Sequence, residues 1–196
     1  MEPVRFSGVE LRTLPGLVMT PRPATEALVK KAIAAVGDRP ARVADVGTGS
    51  GAIAIALARR APAAEIWATD NCSWSVLLAS LNAFDAGVDD RVHVLEGDLL
   101  APVPGDLDLV VANLPYLPFD ERPLHPDLDT EPAAAVYATG DGLDPYRRLL
   151  HQAGSKLAPD GLVIFQLRQR AITVPRTQLV SAAARLDQLV PARLAA

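Results

Sequence analysis

From residue 41 to 58 the chain reads ARVADVGTGSGAIAIALA. An apolar run stops at Gly47, glycines alternate through Gly51, and an alanine-rich helical pattern begins at once. A strand handed to a helix through a glycine loop is the opening of a crossover unit, and repeated crossovers give a parallel sheet with helices on its faces. Glycine also lets a ligand approach the backbone, and a helix start offers N–H groups that no carbonyl of the helix uses.

The alternation continues beyond this unit. EIWATD is a second strand, SWSVLLASLNAFDAG a second helix, RVHVLEGD a third strand and DLDLVVAN a fourth. A helix from about Pro145 to Leu157 leads into a fifth strand, LVIFQL. The fold class is α/β, a doubly wound, mostly parallel, Rossmann-like sheet. Ahead of the sheet, VRFSG and VELRTLPGLVM read as a short hairpin or flap within residues 1–20, and TPRPATEALVKKAIAAVG as a helix closed by Gly37. At 196 residues, a single domain is expected. Residues 166–196 form an atypical tail. It offers one amphipathic helix, Thr177–Leu189, and no two closing strands are legible in it, so a reduced C-terminal end of the sheet is expected.

Composition removes several classes of function. No stretch reaches the ~20 apolar residues of a membrane span, and the charged start MEPVRFSGVE lacks the apolar region of an export signal. A cytoplasmic protein without a membrane partner is expected. A single cysteine, Cys72, leaves no internal disulfide and no multi-cysteine metal site, and no metal is expected. The net charge of −4 counts against nucleic acid as the main partner.

Ligands in such folds lie at the carboxyl ends of the strands, and unusual residues gather at four of them. The first carries Gly47, Thr48, Gly49 and Gly51. Read as G-x-G-x-x-G/A, the loop also suits a dinucleotide. Asp45 at the strand tip would repel a pyrophosphate and attract a cation. That favours S-adenosylmethionine, with its amino group and sulfonium, over a nicotinamide cofactor. Asp70 ends the second strand, where an acid accepts both ribose hydroxyls or caps the next helix, with Asn71 beside it. After the third strand, Asp98 and the Leu99 backbone are placed to meet an adenine amino group. After the fourth come Asn113, Leu114, Pro115 and Tyr116. Pro115 and Pro118 stiffen this turn. The nitrogen of an amide or of adenine's exocyclic amine is a poor nucleophile, because its lone pair is delocalised. A methyltransferase acting on either must hold the NH₂ so that its nitrogen faces the methyl donor. The Asn113 side-chain oxygen and the Leu114 carbonyl would accept the two N–H bonds, and Tyr116 would stack on the planar group. The proline-rich RPLHPDLDTEP reads as a lid over substrate. Trp74 either flanks an adenine or packs.

These residues together resemble class I S-adenosylmethionine-dependent methyltransferases, and within them the HemK-type N5-glutamine methyltransferases of peptide-chain release factors. TPRPATEALV (Thr20 to Val29) resembles that family's Pro-Arg-Pro-x-Thr-Glu segment. DVGTGSGAIAIALA (Asp45 to Ala58) resembles its cofactor loop, and DTEPAAAVYATGDGLDPYRRLL (Asp129 to Leu150) its Glu-Pro…Gly-x-Gly-Leu segment. The likeness spans about Val4 to Phe165. It implies methyl transfer from S-adenosylmethionine to a glutamine side-chain amide of a protein such as a release factor. Asp45, Gly47, Gly49, Asp70 and Asp98 would hold the cofactor, and Asn113 and Tyr116 the amide. Arg22 and Glu26 would belong to a segment beside the cofactor, and Glu131 and Pro132 would face the substrate.

Three departures from the family bear on function. Leu114 stands where the family usually has proline. NLPY is also the form found in ribosomal-RNA adenine dimethyltransferases, so adenine-N6 methylation of RNA or DNA is an alternative. The helical domain of bacterial members is not seen ahead of the flap. In size the chain is nearer to the short archaeal and eukaryotic relatives that work with a small partner subunit, and a cofactor-binding homologue acting through a partner is a further alternative. The tail does not follow the family's closing pattern.

Overall fold

The computed structural model describes residues 3–168 and 170–189. The first two residues of the flap and the last seven of the tail lie outside the described residues.

The chain opens with the expected hairpin. β1 (Pro3–Phe6) pairs with β2 (Val9–Arg12) across a turn at Ser7 and Gly8, both at positive φ. A 3-10 turn at Pro23–Thr25 leads into α1 (Glu26–Val36). Leu28, Val29, Ala32 and Val36 form its buried face, at the spacing of one helical stripe. β3 (Ala41–Val46), α2 (Ala52–Arg60), β4 (Ala64–Asp70), α3 (Ser73–Asp85) and β5 (Val92–Glu96) follow as two crossovers that step outward from β3. β6 (Leu107–Ala112) returns to the other side of β3. Beyond it the proline-rich stretch folds as 3-10 turns at Phe119–Leu124 and Pro126–Leu128. They are framed by β7 (Leu117–Pro118), α4 (Ala133–Val136) and β8 (Tyr137–Ala138), with β7 and β8 paired in parallel. α5 (Asp144–Lys156) then delivers β9 (Leu157–Leu167), which pairs with β6.

The tail corrects one expectation. After a turn at Arg168, β10 (Arg170–Pro175) runs back along β9 from Arg170↔Leu167 to Pro175↔Leu162, so one closing antiparallel strand exists. The helix expected over Thr177–Leu189 is divided. A 3-10 turn at Arg176–Gln178 precedes α6 (Leu179–Ala184), and α7 (Leu186–Leu189) follows a break at Arg185.

The main sheet therefore has the order β10-β9-β6-β3-β4-β5, parallel except for β10. Its central strands are apolar on both faces, as a sheet covered twice must be. Val43, Leu109, Val111 and Ile164 face one core, shared with α1 and α2. Ala44, Val46, Val110, Ala112 and Phe165 face the other, shared with α5. The direction in which strands are added reverses between β3 and β6, and in this type of sheet the crevice at such a reversal is the natural ligand site. Val46 is level with Ala112, so the glycine loop and Asn113 leave the sheet side by side.

Candidate active site

One cavity opens at that reversal. Of the residues singled out in the sequence, Gly47, Gly49, Asp70, Asn71, Asp98, Leu99, Asn113, Leu114, Pro115 and Pro132 line it. Leu17, Val18 and Met19 from the segment after the flap, Cys72 and Ser75 at the start of α3, Ala134 and Ala135 of α4, and Pro145 and Arg148 from α5 complete the wall.

The glycine loop is held from beneath. The N–H groups of Gly47 and Thr48 both donate to the Thr69 carbonyl. Asp70 fixes the next turn: its Oδ2 accepts from the Gly49 N–H at 2.9 Å and its Oδ1 from the Cys72 N–H at 3.0 Å. Burial raises the Asp70 carboxyl above the usual carboxylate range, against the opposing effect of those donors. Gly51 stands at the start of α2 in the left-handed conformation, and Thr48 is buried, so these two shape the loop without lining the cavity.

Asp45 corrects the electrostatic argument. Its side chain is fully buried beneath the loop and does not line the cavity. Oδ2 accepts from Thr48 Oγ1 at 2.7 Å and from the Ala54 N–H at 3.0 Å, tying the loop to the first turn of α2. Desolvation pushes its pKa up to about 7. A carboxylate so placed organises the loop and does not stand at the tip to sort ligands by charge. Period-two alternation puts Asp45 on the face of Val43, which α1 and α2 cover, and that signal was present in the sequence.

Asp98 also has a partner that the sequence did not reveal. Arg148 Nη2 lies 2.6 Å from Asp98 Oδ2, and Gln152 Nε2 lies 3.3 Å from the same oxygen. Both groups of the ion pair are about half exposed, so it adds little stability. It does bring α5 to the cavity rim. Trp74 is half exposed on α3 and does not line the cavity.

At the tip of β6, Asn113 Nδ2 donates to Thr25 Oγ1 at 3.1 Å. With its nitrogen tied to Thr25, the Asn113 oxygen is the group left for a donor inside the cavity. Thr25 lies in the TPRPATE segment, between Arg22 and Glu26, and is the residue of that segment that reaches Asn113. Leu114 is held by Tyr146 of α5, whose hydroxyl lies 3.0 Å from the Leu114 nitrogen and 2.9 Å from its oxygen. The Leu114 side chain leans on the glycine loop: a β-carbon at Gly47 would stand 2.6 Å from Leu114 Cδ2. Tyr116 packs against the surrounding apolar clusters rather than lining the cavity, which removes the expected stacking surface in this geometry. Its phenol is raised above the ordinary range by burial. The backbone behind it is closed by Gly142, where a β-carbon would fall 2.3 Å from the Tyr116 oxygen.

The remaining residues brace the wall. Glu131 Oε2 accepts from the Thr20 N–H at 3.1 Å and its Oε1 lies 3.6 Å from Arg22 Nη2, so the lid's end fastens the segment after the flap. Glu26 accepts from the Ser7 N–H and ties α1 to the hairpin, away from the cavity. Among the described residues, no cluster of three or more His, Cys, Asp or Glu is placed to hold a metal, and no helix is long and apolar enough to cross a membrane.

The methyltransferase small domain model matches residues 17–125, from the segment after the flap into the lid and across both the glycine loop and Asn113. The chain belongs to that family. It is 40% identical over 170 residues to the release factor glutamine methyltransferase of Deinococcus radiodurans, with 85% of this chain and 60% of that protein covered. With the protein of the same name from Moorella thermoacetica it shares 39% over 165 residues, covering 83% and 58%. The resemblance to release factor glutamine methyltransferases read from the three sequence segments is borne out by these relatives. The chain spans about 60% of the length of these curated relatives. Among solved structures, the ribosomal protein L11 methylase of Lactobacillus delbrueckii subsp. bulgaricus superposes with a TM-score of 0.59 at 29% identity, covering 91% of this chain and 74% of that one.

Proposed function

We propose that the chain is an S-adenosylmethionine-dependent N-methyltransferase acting on a glutamine side-chain amide of a protein, of the release-factor kind that the relatives' names indicate. The observation that carries the reaction type is the Asn113 amide, tethered through its nitrogen to Thr25 beside the Leu114 carbonyl in the family's cavity. The names of the relatives support glutamine over adenine, and the net charge of −4 agrees.

The site fits the cofactor. Gly47 and Gly49 leave the loop without β-carbons beside the cavity. Asp70 lines the cavity with its carboxylate oriented by the Gly49, Cys72 and Asn71 N–H groups and the Ser75 hydroxyl, where it would meet a pair of hydroxyls. Asp98 and Leu99 stand further along the same wall. When bound, S-adenosylmethionine supplies an electrophilic methyl group. The chain's own contribution is alignment. The Asn113 oxygen and the Leu114 carbonyl accept the two N–H bonds of the primary amide and aim its nitrogen into the cavity, while Leu17 to Met19 and Pro132 narrow the opening to water. No strong base is required before transfer, because the nitrogen loses its proton more readily once alkylated.

The test is labelled-methyl transfer to a peptide carrying a Gly-Gly-Gln loop, run beside ribosomal RNA. Transfer to the peptide is expected, with Asn113→Ala lowering turnover on the order of 10²-fold. Label in RNA alone would select the adenine reading. Cofactor binding without any transfer by the isolated chain would point to a required partner subunit.

A further inference from the structure

Tyr146 lies on α5, 32 residues from Leu114 in sequence, and it is fully buried. Its hydroxyl accepts from the Leu114 N–H at 3.0 Å and lies 2.9 Å from the Leu114 carbonyl oxygen and 2.6 Å from that of Gln166 in β9. The Leu114 nitrogen and oxygen belong to two successive peptide units. One hydroxyl touching both fixes the torsions on either side of the Leu114 α-carbon. Proline at this position would have set φ by its ring and would have offered no N–H. Leucine offers the N–H, and Tyr146 receives it. Gly142, in the same segment, closes on the Tyr116 carbonyl from behind. The ring of Tyr146 is in turn lodged against Phe165 at 5.1 Å between centroids.

We propose that Tyr146 is a positioning residue: its hydroxyl sets the plane of the Leu114 carbonyl that receives the acceptor amide. This rests on the glutamine-methylation reading above. The hydroxyl has one proton for two carbonyls, and the shorter contact is to Gln166. The Leu114 oxygen has two lone pairs, so one remains for an incoming N–H wherever that proton sits. Tyr146 touches no reacting atom and takes no part in proton transfer. Losing its hydroxyl frees the Leu114 peptides to rock, which misaims the acceptor nitrogen, while the cofactor loop keeps its own supports on the Thr69 carbonyl and Asp70.

The decisive experiment compares Tyr146→Phe with Leu149→Ala, a core change one turn along the same helix that leaves the Leu114 contact in place. Both variants lose stability. Tyr146→Phe is expected to lower kcat at least 10-fold at a temperature where both are folded, with the peptide KM changed less than kcat. Its affinity for S-adenosylhomocysteine by calorimetry should stay within 3-fold of wild type. Amide exchange at Leu114 should quicken by at least 10-fold relative to Leu149→Ala. A Tyr146→Phe kcat within 2-fold of wild type, or an equal loss in Leu149→Ala, would overturn the proposal. Wild-type turnover on the peptide tests the glutamine reading separately, and Leu114 exchange reads the brace with no turnover needed.

Discussion

Replacing Asp45 by asparagine isolates a carboxyl with no exposed surface. Asparagine has nearly the same shape, and its oxygen can take over from Oδ2 the donors Thr48 Oγ1 and Ala54 N–H. Its NH₂ then lies where Oδ1 has no partner, which costs about 1–3 kcal/mol at every pH. The informative quantity is therefore the slope of stability with pH. Asp45 is raised by desolvation from an ordinary value of 3.8 to about 7 in the folded protein. Its contribution to stability is fully present below the unfolded value and is lost as pH rises through the folded value, because the unfolded chain releases the proton first. The gap is about three units at 1.36 kcal/mol each, or on the order of 4 kcal/mol between pH 4 and 8. Urea unfolding followed by circular dichroism at half-unit steps over that range measures it. The wild-type curve should fall relative to the Asp45→Asn curve by that amount, most steeply from pH 4 to 7. Asp70, also raised by burial, is present in both proteins, and its charge supplies the smallest of the effects on Asp45, so only that coupled part of its titration survives in the difference. Parallel curves would refute a buried, largely neutral Asp45.

Gly142→Ala should destabilise by at least about 3 kcal/mol. It combines a left-handed backbone at φ +83 with a β-carbon 2.3 Å from the Tyr116 oxygen, a backbone atom with little room to give. Thermal melting should register this as a drop of roughly 6–12 °C, and an unchanged Tm would contradict the close approach. Glu131→Ala releases the Thr20 N–H and the Arg22 contact and should cost about 1–2 kcal/mol. Because Leu17 to Met19 line the cavity, it should also weaken S-adenosylhomocysteine binding at least 3-fold by calorimetry; equal affinity would show that the fastening does not shape the site.

The central fold was legible because its strands are short apolar runs closed by glycine or acid, and its helices carry buried stripes. β10 was not. It is an edge strand of six residues in which only Val174 is buried, and its alternation is confined to Ile172, Thr173 and Val174, too short a run to mark a strand by itself. The four strand tips told where the cavity is, since topology alone brings them together. What each side chain does there was less visible. Asp45 was read by its position along the strand when its face was the deciding feature. Tyr146 and Arg148 reach the site from α5, and no local spacing records a contact made across such a distance. Tyr116, read as a stacking surface, packs among apolar neighbours because the backbone behind it is fixed by Gly142.

The contact between Gly47 and Leu114 has a consequence for how such a sequence can diverge. A β-carbon at 47 would stand 2.6 Å from Leu114 Cδ2, the end of a side chain that would have to turn away, and the left-handed backbone at Gly47 (φ +71) adds strain of its own. Change at position 47 is therefore felt at 114: a larger residue in the glycine loop displaces the Leu114 side chain, and a smaller side chain in the NLPY turn eases that contact while leaving the backbone strain. Grafting either motif alone into another scaffold transfers one side of a contact without the other.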